Sequence, residues 1–139
     1  MTTYTDTSAL VKLLHAEPET SALIEYLSGK PESLSSSELT IAELHRAGRR
    51  ARVPHESTDV LLGALTLTPV TRSVLARAGR LLEPPGSFLK TGDAIHVLAA
   101  ADLGATAFLT YDKMQARSAE VRGFAILSPG MADGWYHAV

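Results

Sequence analysis

Strands that alternate with helices along the chain predict an α/β domain on a mainly parallel sheet of four or five strands, with helices on both faces. Three observations carry that expectation. Short β-prone runs recur at residues 2–5, around Leu34, at 65–70, 107–110 and 123–127, separated by helical spacings of apolar residues. The stretch 90–103, KTGDAIHVLAAADL, is apolar on nearly every side of a helix, which is the pattern of a helix buried all round. Finally, 139 residues with 45% hydrophobic and 20% charged content suit one globular domain with a proper core, taken here as residues 1–139.

Each element follows from its local sequence. The run 2–5 ends at Asp6, and Leu10, Val11, Leu13 and Leu14 then give a helix that stops at Glu17-Pro18. Pro18 can open a second helix, with Leu23, Ile24 and Leu27 inward and Ser28-Gly29 at its end. Past a short strand near Leu34, Ser35 and Glu38 form an S-x-x-E capping box for a helix through about Arg52, with Ile41, Leu44 and Ala51 as its buried stripe. Val53-Pro54 interrupts, and 56–64 resumes the helical pattern. Residues 65–70 alternate apolar with threonine as a strand does, and Thr71 caps a helix to about Leu82. Pro84-Pro85-Gly86 is a loop before the apolar helix, for which Thr91 is a possible cap and Gly104 a left-handed stop. A strand at 107–110, a short helix at 112–120 and a strand at 123–127 complete the pattern; 131–139 stays unassigned.

Composition narrows the function classes. The formal net charge of −2 does not announce a polyanion binder, nor exclude one whose acids offset basic patches. The absence of cysteine removes disulfides and thiolate metal sites and fits a reducing compartment. No apolar run spans a bilayer, and the opening MTTYTDTSAL has neither the basic region nor the apolar core of a signal peptide. The expectation is a cytoplasmic protein with no membrane association.

The chemistry gathers around acids. Asp6 and Asp112 each follow a strand and precede a helix, and either alone reads as an N-cap; Asp112 even has Gln115 three residues on, the D-x-x-Q form of a capping box. Ligand sites of parallel α/β sheets, however, lie beyond the carboxyl ends of the strands, so two central strands would bring both acids to one edge. Glu43 stands at the border of its helix's buried stripe, where a solvated pair with Arg46 is the plain alternative. Asp93 lies in the first turn of the apolar helix, where the helix dipole alone favours an acid. Four converging carboxylates repel one another and raise their own pKa values. Such a cluster makes sense around a hard divalent cation such as Mg2+ or Mn2+.

The order Asp6-x-Ser8, Glu43 within SSELTIAELHRA, Asp93 within TGDAIHVLAAA and Asp112 within FLTYDKM resembles the PIN-domain family, and within it the VapC-type toxins of bacterial toxin–antitoxin pairs. The likeness runs from residue 2 to residue 129 and includes the GFAILSP ending. It implies a three-layer α/β/α fold and a magnesium- or manganese-dependent endoribonuclease, likewise a homodimer, silenced by a cognate antitoxin whose C-terminal segment lies over the acidic groove. It carries Asp6, Glu43, Asp93 and Asp112 over as the catalytic, metal-holding acids. Ser8 and Thr110 match flanking hydroxyl positions that bond to a ligand carboxylate or a metal-bound water. Where PIN sites often have another acid or Asn after the last Asp, this chain continues with Met114, Gln115, Ala116 and Arg117.

The remaining residues bear on substrate and on rival mechanisms. Arg46, Arg49, Arg50 and Arg52 crowd one helix end, more cations than complementing a dipole needs, and the first three are candidates for RNA contact. Arg72, Arg77, Arg80, Lys12, Lys90 and Lys113 are further cations near the acids or on the next helix. Tyr4, Tyr26, Tyr111 and Trp135 are too dispersed for a stacking platform. Ser8 has no sequence-evident base, the five histidines are scattered, and His96 on the apolar helix reads as a hydrogen-bonded core histidine. The alternatives are an Asp-dependent phosphatase using Asp6 as nucleophile, which would want an acid where Ser8 stands, and a PIN-like or receiver-like module that only binds a partner.

Overall fold

A computed structural model of the chain describes residues 2–30, 33–85 and 88–138. Five parallel strands, each three residues long, form one sheet in the order β3-β2-β1-β4-β5: β1 (Thr3–Thr5), β2 (Ser35–Ser37), β3 (Thr66–Thr68), β4 (Ala107–Leu109) and β5 (Ala125–Leu127). Among the described residues the α-helices are α1 (Thr7–Leu14), α2 (Thr20–Ser28), α3 (Leu39–Arg50), α4 (His55–Gly63), α5 (Arg72–Gly79), α6 (Thr91–Leu103) and α7 (Lys113–Val121). From β1 the chain steps outward through β2 to β3, then returns to β4 beside β1. Right-handed crossovers therefore set α1–α4 on one face and α5–α7 on the other. The helix contacts agree, α1 meeting α3 and α4 on one side while α6 meets α5 and α7 on the other.

Alternation along the central strands feeds both layers. Tyr4 and Phe108 pack with Val97, Ala99 and Ala100 of α6 and with Ala119 and Phe124, whereas Leu109 joins Ala9 and Leu23 on the α1–α2 side. Between two packed neighbours, α6 buries Ala94 through Val97 with Ala99 and Ala100, as its all-round apolarity requires. Gly104 ends it in the left-handed conformation at φ 77°, as expected.

Several boundaries differ from the sequence expectations. Ser35 is no helix cap: it lies in β2, paired with Tyr4 and Thr66, and α3 starts at Leu39 without a side-chain cap. Sheet pairing outcompetes the capping box, and the Glu38 carboxylate accepts from the Val70 amide (3.2 Å) instead. The buried stripe of α3 is Thr40, Leu44 and Gly48, so Ile41 is 41% exposed. A polar residue joined to Ser36 (2.6 Å) and a glycine hide that stripe from any count of apolar side chains. Ile24 is 52% exposed for a related reason: Leu23 and Leu27, four apart, already fill the inward face of α2. This helix starts at Thr20 rather than Pro18, α5 stops at Gly79 rather than near Leu82, and Lys90, not Thr91, precedes α6. Thr71 caps α5 as predicted, accepting from the Val74 amide at 3.1 Å. Residues left unassigned at the end include a short 3-10 turn, Trp135–His137, packed on α7. Gly86 of the Pro-Pro-Gly loop lies outside the described residues.

Candidate active site

Asp6 and Asp112 leave the carboxyl ends of the adjacent strands β1 and β4, and both are helix N-caps. Asp6 Oδ1 accepts from the Ala9 amide (3.3 Å) and Asp112 Oδ1 from the Gln115 amide (2.9 Å). The reciprocal half of the Asp112 capping box does not form, since the Gln115 amide group is buried with no partner among the described residues. Capping and a shared site are thus not alternatives: the cap geometry is what aims the carboxylates.

Ser8 and Thr110 bind the two turns together. Ser8 Oγ donates to Asp6 Oδ1 (2.6 Å) and Thr110 Oγ1 donates to Asp6 Oδ2 (2.6 Å). The same hydroxyl oxygens also accept backbone amides, Ser8 from Tyr111 in the other turn (2.9 Å) and Thr110 from Asp112 in its own turn (3.0 Å). Of the two roles open to these hydroxyls, the structure shows bonding to a carboxylate. Asp6 is buried, and burial raises its pKa against the lowering pull of His96, Ser8, Thr110 and the Ala9 amide.

Glu43 reaches the same end of the sheet from mid-α3. Its Oε1 accepts from Thr7 Oγ1 (2.7 Å) and from His96 Nε2 (2.6 Å). Partial burial pushes this carboxyl up, but the hydrogen bond and charge of His96, helped by Thr7, outweigh it and hold Glu43 below its ordinary value. A carboxylate can only accept, so His96 Nε2 carries a proton in either charge state of the ring. His96 is indeed a buried, hydrogen-bonded histidine, as its setting in an apolar helix predicted; its partner is a site acid, which the sequence did not show. The one clue was its place three residues after Asp93 on an otherwise apolar helix.

Asp93, in the first turn of α6, makes no hydrogen bond or ion pair among the described residues. Burial, then Asp112, Asp6 and Glu43 in turn, raise its pKa to about 6 despite the opposing pull of His96. The structure therefore brings all four predicted acids to one edge. Among the described residues, no three acidic or histidine side chains close round one point as they stand. The donor set is all oxygen, which suits a hard divalent cation.

The predicted cations divide. Arg46, Arg49 and Arg50 line an open recess of about 490 Å³ with His45 and His55, further along the helix that carries Glu43. Lys12 is not available to a ligand: it is buried, bridges Glu17 (2.9 Å) and Glu19 (3.5 Å), and lies over the Tyr111 ring. Arg77 is paired with Asp102 through both terminal guanidinium nitrogens.

Fold and site together define a parallel α/β domain with an acidic centre at the carboxyl edge of its sheet. The PIN-domain family model matches residues 3–121, and the chain belongs to that family. Within it the chain is similar to Ribonuclease VapC47 of Mycobacterium tuberculosis, 40% identical over 134 residues that cover 91% of this chain and 96% of the relative. Ribonuclease VapC46 of the same species is 38% identical over 132 residues, with the same coverage. Among solved structures, M. tuberculosis VapC20, described as a sarcin–ricin loop cleaving toxin, superposes at a TM-score of 0.76 with 15% identity, covering 92% of this chain and all of that one. A toxin–antitoxin complex from Klebsiella pneumoniae superposes at 0.70 with 18% identity, covering 95% and 100%. At such identities these structures speak for the fold.

Proposed function

We propose that the chain is a metal-dependent endoribonuclease, the toxin of a toxin–antitoxin pair, with Asp6, Glu43, Asp93 and Asp112 as the acids that hold Mg2+ or Mn2+ in the cytoplasm. The observation that carries this reading is the convergence of four acids from four separate elements on one sheet edge, where burial first and then the charges of Asp112, Asp6 and Glu43 lift Asp93 to about 6. The names of the curated relatives supply the reaction class, and the toxin–antitoxin complexes among the structural neighbours supply the partner.

A divalent cation held by Asp6, Glu43, Asp93 and Asp112 would acidify a water toward neutral pH and offset charge on the phosphoryl oxygens. The chain's own residues do the rest. Ser8 and Thr110 hold Asp6 by donating to both its oxygens, against the upward push of burial on its pKa; Thr7 and His96 donate to one oxygen of Glu43. Asp112 is fixed by its cap. Arg46, Arg49 and Arg50 have no partner among the described residues, so they are free to take RNA phosphates. Ser8 is no nucleophile, because its hydroxyl donates to Asp6 and no histidine bonds it. Asp6, buried and bonded at both oxygens, is equally unsuited to the attack a phosphatase would need.

The test is cleavage of total RNA by the purified, antitoxin-free chain. Cleavage should need Mg2+ or Mn2+, stop with chelator, and fall at least a hundredfold in Asp6→Asn, Asp93→Asn or Asp112→Asn, with double variants losing much less than the sum of the singles. Undiminished cleavage by these variants, or cleavage in chelator, refutes the assignment. Retained metal uptake with no cleavage of any RNA would favour the binding module.

A further inference from the structure

Asp6 and Asp112 are oriented by the helix ends they cap, and Asp93 by the first turn in which it sits. Glu43 has no such support. It projects from the middle of α3 on a long side chain, and its direction is set from outside. Both of its contacts fall on Oε1, from Thr7 (2.7 Å) and from His96 (2.6 Å). The other oxygen is left beside Gly92, where an added Cβ would stand 3.0 Å away, next to Asp93 in sequence.

His96 is itself held. Its side chain is 2% exposed, and its second ring nitrogen, Nδ1, lies 2.6 Å from the hydroxyl of Tyr4, a fully buried residue of β1. The two rings meet edge to face, with centroids 5.7 Å apart. With Nε2 carrying a proton to Glu43, Nδ1 of the neutral ring accepts from the tyrosine, which fixes the ring plane. A histidine with only a packing role could pair with any backbone carbonyl. This one runs a chain of hydrogen bonds from the central strand, through the central helix, to the one acid that its own helix does not aim.

We infer that His96, backed by Tyr4, is the positioning residue of Glu43: the imidazole fixes the carboxylate so that its free oxygen faces the first turn of α6 and the other acids. This rests on the proposed role of Glu43 as a metal-holding acid.

The two amide substitutions separate the halves of the chain. In His96→Gln the amide nitrogen reaches the place of Nε2 and still donates to Glu43. In His96→Asn the amide stops at the level of Nδ1 and meets only Tyr4. The measurement is Mn2+ binding to the purified full chain without RNA, by calorimetry, alongside thermal melting. His96→Gln should bind within about threefold of wild type, and His96→Asn about 10–100-fold more weakly, the range typical when a ligand's orienting partner is lost. Tyr4→Phe should weaken binding by a few fold. Adding His96→Asn to Glu43→Gln should weaken it no further than Glu43→Gln alone, since both act through one group. Binding by His96→Asn equal to wild type, or losses that multiply in the double variant, would show a histidine that only packs. Should His96→Asn not fold, the same cycle between Tyr4→Phe and Glu43→Gln decides in the same terms. No Mn2+ uptake by the wild type would instead bring down the metal-site reading itself.

Discussion

Replacing Asp93 by Asn in the metal-free protein should stabilise it above pH 6 and leave it unchanged near pH 4. The carboxyl is raised from 3.8 to about 6, first by burial and then by Asp112, Asp6 and Glu43. A raised carboxyl means that the folded state holds a proton more tightly than the unfolded one. Stability therefore falls as pH rises from about 4 to about 6 and stays lowered above that window. The full shift corresponds to about 3 kcal/mol, at 1.36 kcal/mol per pKa unit. Asp93 is only half-buried, so solvent screening cuts this to about 1–1.5 kcal/mol. Loss of the favourable charge at the start of α6 takes back about 0.3–0.5 kcal/mol. The net gain of about 1 kcal/mol should raise Tm by about 3–4 °C for a domain of this size. Melting both proteins in chelator at pH 4.2 and pH 7.5 measures it, and adding Mn2+ at pH 7.5 should reverse the order, because only the wild type has the full acidic set for the ion to stabilise. An Asn variant that melts below wild type at pH 7.5, or gains equally at both pH values, would refute the argument from a raised Asp93 carboxyl.

Asp6→Asn should behave oppositely. Its carboxylate accepts at both oxygens, so an amide nitrogen would face the Thr110 or Ser8 hydroxyl, and urea unfolding should show a loss of about 1–2 kcal/mol. Gly92→Ala should leave Tm equal or higher through helix propensity, yet lower Mn2+ affinity severalfold, because the new Cβ would meet Glu43 Oε2 at 3.0 Å; unchanged affinity would mean that Glu43 is loosely held. Alanine at Arg46, Arg49 or Arg50 should weaken binding to a catalytically dead variant alike across RNA sequences and reduce the salt slope by about one per lost phosphate contact. Expression of the chain with its neighbouring reading frames should recover a small second protein on purification; a lone, non-toxic monomer would speak against the antitoxin.

How much of this was legible depended on what each residue does with its backbone. Asp6 and Asp112 were visible because strand-end and N-cap signals coincide at both, and a parallel sheet brings them to one edge provided that both strands are central, as β1 and β4 are. Glu43 was legible only through the resemblance. By periodicity alone it sits on a helix border, and what fixes it comes from Thr7 and from His96, residues 36 and 53 positions away. The cap at Ser35 misled because a strand of three serines has little β propensity; it is buried through pairing with β1 and β3 and through the Ser36–Thr40 bond. The inward face of α3 was obscured by the same economy, Thr40 and Gly48 packing where an apolar count looks for Ile41. Lys12 carried no sign that two glutamates on the following turn would cover it.

The hydroxyl cross-link at Asp6 joins residues 102 to 104 positions apart, Ser8 to Thr110 and Thr110 to Asp6. Thr110 closes it, so no product of synthesis that stops short of that residue contains it. A ribosome that has released β1 through β3 has made about half of the 139-residue chain, and the junction waits for β4 to insert beside β1, a long-range pairing of the kind that is slow. Conversely, opening either turn breaks the bonds that tie it to the other, while the caps to the Ala9 and Gln115 amides stay local to each turn. A protease cut between the two turns that lets β4 leave would therefore part Asp6 from Asp112 without unmaking either cap.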